Sequence, residues 1–157
     1  MSQRRPSVSR AMKLEEQLCF ALYSASRALT RAYQPLLEPL GLTYPQYLVM
    51  LVLWEGKARS VSELGARLGL DSGTLTPLLK RMAEAKLVER RRDADDERVI
   101  HVSLTPAGAK LQDRAKHVPL ELVCRAGFVP TSEGFAELAR LRDSLQDLTR
   151  RLADAGA

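Results

Sequence analysis

A chain of 157 residues fits one domain, large enough to bury most of its apolar surface without disulfides or a structural metal. Hydrophobic residues make up 45% of it but aromatics only 5%, with many Leu and Ala set between charges, which favours helices and argues against a sandwich or barrel. Lys and Arg number 24 against 19 Asp and Glu, a net +5 that suits an anionic partner without choosing between nucleic acid and a membrane surface.

Residues 1–13 are polar and basic with few apolar anchors and read as a flexible basic arm, followed by a single domain over 14–157. Met1 to Arg10 lacks the apolar core of about 7 to 15 residues that a signal peptide carries. No later stretch has the composition of a transmembrane helix, so a cytoplasmic protein with no membrane partner is expected. Leu14, Leu18, Leu22, Ala25, Leu29 and Ala32 recur at helical spacing and predict a first helix that ends near Pro35. Thr43-Tyr-Pro-Gln46 reads as a capping box before the apolar run Tyr47 to Trp54, the second helix, which stops by Gly56. A second box, Ser60-Val-Ser-Glu63, opens a short third helix with Val61, Leu64 and Leu68 inward and Gly69 at its end. Asp71 caps a fourth helix whose Leu75, Leu78, Leu79 and Met82 share one apolar face.

From Leu87 the pattern turns to a short strand, the charged run Arg90 to Arg98, and the alternating Val99-Ile-His-Val-Ser-Leu104, a two-stranded hairpin with a charged tip. Thr105-Pro106 caps and opens a fifth helix with Ala107, Leu111, Ala115 and Val118 on one side, which Pro119 should bend or interrupt. Leu138, Leu141, Leu145, Leu148 and Leu152 alternate steps of three and four, the seam of a sixth helix that needs a partner surface. The first and last helices offer more apolar seam than the small central unit can cover, which argues that they cover each other in a homodimer.

A short helix, a tight turn, a second helix and a charged hairpin make a winged helix-turn-helix, a mostly α fold with a small β wing whose second helix can enter a DNA major groove. With Leu75 inward, a rotation of about 100° per residue turns Gly73, Thr76, Pro77, Lys80 and Arg81 outward. Hydroxyls and cations bond base edges and phosphates, and Gly73 admits close backbone approach, so Ser72, Gly73, Thr74, Thr76, Lys80 and Arg81 are the candidate DNA contacts. The bland alternative is a merely solvated face. Pro77 breaks a local rule there: either the helix begins nearer Thr74 or it kinks. In the wing, Arg90, Arg92 and Arg98 flank an acidic tip and could reach a minor groove or phosphates, against the bland reading of a hairpin held by internal salt bridges.

Leu64-Gly-Ala-Arg-Leu-Gly-Leu-Asp-Ser-Gly-Thr-Leu-Thr-Pro-Leu-Leu-Lys-Arg-Met82, the wing Asp96-Glu-Arg98 and Leu104-Thr-Pro-Ala-Gly108 resemble, in that order, the MarR family of winged-helix regulators over residues 14 to 152. The resemblance implies dimerisation helices at about 14–34 and 106–155, a winged helix-turn-helix at about 43–104, and a pseudo-palindromic operator in double-stranded DNA. Read alone, Cys19 is a small buried hydrophobe beside the Leu18 and Leu22 stripe, with Glu15 and Glu16 if anything disfavouring its thiolate. Cys19, Tyr33 at the end of the first helix and Tyr44 at the start of the second, however, resemble the OhrR-type organic hydroperoxide sensors of that family. There the two tyrosines of the other subunit support the sensing thiolate, and Cys124 stands where two-cysteine members carry a resolving thiol. That resemblance implies a repressor released when an organic hydroperoxide oxidises Cys19 and a disulfide forms to Cys124 of the partner subunit.

Three alternatives stay open: a repressor released by a small phenolic or aromatic ligand with both cysteines incidental, a thiol peroxidase, and a non-specific architectural DNA protein. Leu14-Glu-Glu-Gln-Leu18 offers no Thr or Arg beside Cys19 to polarise a peroxide, which argues against an enzyme. With only His101 and His117, no HExxH or Cys-His spacing, and no Walker lysine in Gly69-Leu-Asp-Ser-Gly73-Thr, neither a metal nor a cofactor is expected.

Overall fold

The computed structural model describes residues 12–155. The chain divides into two compact units between Ala115 and Lys116. The expected basic arm lies, up to residue 11, outside the described residues.

In the first unit a 3-10 turn, Leu14–Glu16, precedes helix α1, Leu18–Leu37. The α-helix thus starts four residues later than the apolar repeat suggests, because Gln17 is extended (φ −85°, ψ 122°) and separates the two. Pro35 does not end α1: the helix runs on to Leu37, with Leu36 and Leu37 buried in its last turn. Helix α2, Tyr44–Leu53, opens where the capping pattern placed it, the Gln46 side chain accepting from the Thr43 backbone N–H at 2.8 Å. Its Tyr47, Val49, Met50, Val52 and Leu53 are buried and form the centre of the core.

The short α3, Val61–Leu68, carries both arms of its box: Ser60 Oγ accepts from the Glu63 N–H (3.1 Å) and the Glu63 carboxylate accepts from the Ser60 N–H (2.6 Å). Gly69 ends it at φ +64°, a left-handed conformation that costs a side-chain-bearing residue about 1–2 kcal/mol. Helix α4, Ser72–Glu84, starts from Asp71, whose carboxylate accepts from the Thr74 N–H at 2.9 Å. Of the two expectations for Pro77, a later start is ruled out. The helix begins at Ser72 and passes through Pro77, which leaves the Gly73 carbonyl without its usual N–H donor on an exposed stretch where water can serve.

Three strands follow the fold rather than the expected two. Strand β1, Arg59–Ser60, joins β2, Val88–Arg92, and β3, Ile100–Leu104, in an antiparallel sheet ordered β1-β3-β2. Fully buried Val102 of β3 lies between Arg59 on one side and Arg90 on the other. Helix α5, Pro106–Ala115, closes the unit. It is stitched down by Trp54 Nε1–H donating to the Gly108 carbonyl (3.0 Å) and by Arg114 donating to the Pro39 carbonyl (2.6 Å).

The second unit holds α6, Val118–Arg125, and α7, Ser132–Ala155. The expected fifth helix is therefore interrupted, with Pro119 in the first turn of α6, where its missing N–H breaks no bond. Helix α7 starts six residues before its leucine seam, and of its 24 residues only Gly134 is buried; Leu141, Leu145 and Leu152 are exposed. Leu18, Tyr23 and Leu29 of α1 are exposed in the same way.

Candidate functional site

Helix α4 is held by its buried face. Leu75, Leu78, Leu79 and Met82 are each at most 4% exposed, while Ser72, Gly73, Thr74, Thr76, Pro77, Lys80 and Arg81 are all exposed. The outward residues read from helical rotation therefore do form one polar, cationic surface. Thr74 Oγ1 donates to Asp71 (3.0 Å), so this hydroxyl is partly engaged in the cap. The Asp71 carboxyl is held below the usual range, first by the backbone N–H and then by the hydroxyl of Thr74.

The hairpin tip is shaped by two carboxylates. Asp93 Oδ1 accepts from the N–H groups of Asp95 (2.9 Å) and Asp96 (3.1 Å), and its Oδ2 lies 2.8 Å from His101 Nε2 on β3. These bonds hold its carboxyl low, the Asp95 N–H contributing most, then His101, then Asp96. Asp96 accepts from Nε (3.0 Å) and Nη2 (3.2 Å) of Arg98, so the arginine is fixed at the wing's outer edge while its side chain stays 90% exposed. The salt bridges of the charged run are internal, as its bland reading expects, and they leave Arg98 and Arg92 exposed. Arg90 stands apart. It shares the inward face with Val88, is half-buried, and its Nε is buried without a hydrogen-bond partner among the described residues. The period of two along β2 carries that signal in the sequence.

Cys19 lies in the first turn of α1 and is exposed on this chain, which departs from the buried-hydrophobe reading. Its neighbours Leu18 and Tyr23 are exposed too (61% and 58%). Tyr33 and Tyr44 meet: their rings are 4.8 Å apart, and Tyr47 joins them at 5.6 Å from Tyr33. Burial pushes the Tyr33 phenol up to about 12, with Tyr44 and Tyr47 adding to the shift. Burial raises Tyr44 as well. Both phenols thus keep their protons at neutral pH and remain hydrogen-bond donors. Cys19 and Tyr33 are 14 positions apart on one continuous helix, about 21 Å along its axis, so a chain cannot bring its own tyrosine pair to its own Cys19. Cys124 is exposed in the last turn of α6.

Periodicity and capping patterns single out neither Trp54 nor Arg59. A lone Trp closing an apolar run was the available signal, since a buried indole N–H seeks an acceptor. Arg59 pairs with Glu55 (3.5 Å), which also receives Arg67 Nη2 (2.7 Å), and its Nε, like that of Arg90, is buried without a hydrogen-bond partner among the described residues.

The family model for the transcriptional regulators SarA/Rot matches residues 31–115. The chain is similar to the organic hydroperoxide resistance transcriptional regulator of Bacillus subtilis (strain 168), at 53% identity over 108 residues, 69% of this chain and 74% of that one. Two solved structures of AbfR, a Staphylococcus epidermidis protein, resemble it in fold. The reduced form bound to DNA has 33% identity and a TM-score of 0.69, covering 90% of this chain and 98% of that one. The disulfide form has 32% identity and a TM-score of 0.65, covering 93% and 96%.

Proposed function

Because the chain belongs to the MarR family of winged-helix transcriptional regulators, in its organic hydroperoxide resistance branch, we propose that it is a cytoplasmic, homodimeric repressor released from its operator when Cys19 is oxidised. The dimer forms through α1 and α7, whose exposed leucines cover one another. Two α4 helices then enter successive major grooves of a pseudo-palindrome, half-sites one helical turn apart. Ser72, Gly73, Thr74, Thr76, Lys80 and Arg81 make the groove and phosphate contacts; Arg98 and Arg92 extend them from the wing, and Arg90 contributes from its base.

The observation that supports the redox part is the geometry of α1: an exposed thiol among exposed apolar side chains, about 21 Å from its own pair of protonated phenols, which leaves the pair of a second copy to complete the proposed site. The Cys19 thiolate attacks one peroxide oxygen, the O–O bond breaks, the sulfur becomes a sulfenic acid, and the alcohol leaves after taking up a proton. The Cys124 thiolate of the partner subunit then attacks that sulfur, forming the S–S bond and releasing the hydroxyl as water. Dithiol reductants reverse the step. The test is fluorescence anisotropy of operator DNA with the reduced dimer, then with stoichiometric cumene hydroperoxide, then with dithiothreitol. Binding that is lost and regained supports the reading, and a Cys19→Ser protein that still leaves the operator on peroxide refutes it.

One observation favours a second reading, release by a small phenolic ligand. A cavity of about 510 Å³ is lined by Thr30, Gln34 and Leu37 of α1 and by Leu42 and Tyr44. Release of fully reduced Cys19→Ser protein by a phenol would select it.

A further inference from the structure

We propose that Trp54 is a positioning residue that couples the Tyr33–Tyr44 pair to the root of the wing, so that movement of the tyrosines reaches the DNA-reading hairpin through one indole N–H. The inference rests on the redox reading in one respect: the event that displaces the tyrosines is oxidation of Cys19.

Helix α2 is the connecting bar. It carries Tyr44 as its first residue, Tyr47 one turn on, and Trp54 immediately after its last residue, a span of about 15 Å. Five of its ten residues are buried, and a close-packed element of this kind shifts as a body rather than bending at each residue. At its first end the rings of Tyr44 and Tyr47 lie 4.8 and 5.6 Å from Tyr33 of α1. At the other end the Tyr47 ring meets the Trp54 indole edge-on, centroids 6.2 Å apart and planes at 69°. All three separations fall in the range of direct aromatic contact.

The indole has a single polar hydrogen, and it donates to the Gly108 carbonyl at 3.0 Å. Gly108 is the third residue of α5 and is pressed against the backbone of Leu87, the residue before β2. Thr105 binds the same place twice, its hydroxyl donating to the Lys86 carbonyl (2.6 Å) and its N–H to that of Leu87 (3.1 Å). Lys86 itself holds a left-handed φ of +58°, a conformation that an L residue keeps only when its surroundings impose it. Contact is therefore unbroken from Tyr33 to Leu87 at the root of the wing, and the Trp54–Gly108 bond is the hydrogen-bonded link between α2 and α5 in it.

Trp54→Phe keeps an aromatic ring against Tyr47 and removes the N–H. Wild type and variant are compared as full-length dimers by operator anisotropy before and after cumene hydroperoxide, with free thiols counted in the same samples. The expected result is a variant whose thiols oxidise as in wild type and whose reduced form binds DNA as wild type does. Its affinity falls on oxidation by less than about fivefold, where wild type loses about 5- to 150-fold. A merely structural role would lower reduced binding and leave the oxidation response in place. Equal release of both proteins overturns the coupling and leaves the redox reading intact; wild type that ignores peroxide overturns both. Should the variant not fold, wild type alone decides. Trp54 is the chain's single tryptophan, and its emission must change at the rate of DNA release, whereas emission unmoved by oxidation overturns the proposal.

Discussion

Substituting Gly108 by Ala tests how tightly α5 is seated on the wing root. A methyl group built there overlaps the Leu87 carbonyl oxygen, stands 3.0 Å from the Leu87 carbonyl carbon and 3.4 Å from Leu104 Cδ2. Carbon pairs rest at about 3.5–4.0 Å and carbon–oxygen pairs only slightly closer, so clearing the Leu87 carbonyl oxygen requires α5 to retreat by more than about one ångström. Overpacking of this kind costs about 1–3 kcal/mol, and a clash with backbone rather than a flexible side-chain end belongs at the upper limit. Helix propensity returns about 1 kcal/mol for Gly to Ala, leaving a net loss of about 2 kcal/mol. For a chain of this length that lowers Tm by about 4–8 °C. The assay is a circular-dichroism melt at fixed protomer concentration, because Tm of a dimer depends on concentration. A Tm that is unchanged or raised would refute the close seating of α5 and, with it, the route from Trp54 to the wing.

Ser60→Ala removes one arm of the α3 capping box and should cost about 1 kcal/mol, seen as a lowered melt with little change in far-ultraviolet spectrum; a neutral effect contradicts the bond to Glu63. Lys80→Ala should weaken operator and non-operator DNA alike and reduce the slope of log K against log salt by about two, one for each copy in the dimer. A change in sequence preference with an unaltered slope would place Lys80 on a base instead. The Asp93 carboxyl lies below its unfolded value, so its support of the wing is complete above about pH 4, the unfolded range, and is lost as pH falls through the lower folded value. Hydrogen exchange at the Asp95 and Asp96 amides should report opening only in that acid window, and opening that begins near neutrality contradicts it. Tyr33 is raised to about 12, so its contribution is complete below about pH 10 and fades as pH climbs from there toward 12. Absorbance at the tyrosinate band should show a late transition that Tyr33→Phe removes.

Local grammar made the helices legible. Ser60, Glu63, Asp71 and Thr105 act through backbone groups within three residues, and such chemistry is written in adjacent letters. Strand β1 was illegible for the opposite reason. Two residues carry no period, and Arg59–Ser60 becomes a strand only because β3 offers a free edge to it. The interruption before α6 followed from Pro119, whereas Pro77 left two outcomes open, and α4 starts at Ser72 and runs through it because four buried side chains outweigh one lost backbone bond. At the candidate site, exposure of Gly73, Thr76, Lys80 and Arg81 on α4 followed from helical rotation. The meeting of Tyr33 with Tyr44, and of Trp54 with a carbonyl 54 residues away, depended on packing between elements that sequence spacing cannot encode.

The bonds at the hairpin tip leave a division of labour among its residues. Asp93 and Asp96 set the course of the backbone and the aim of Arg98, whereas the side chains of Ala94, Asp95 and Glu97 are exposed and hold nothing in place among the described residues. These three side chains are thus free letters within a fixed word. Substitutions there leave in place the bonds that set the course of the hairpin backbone, so the tip tolerates drift at these positions that it does not tolerate at Asp93 and Asp96.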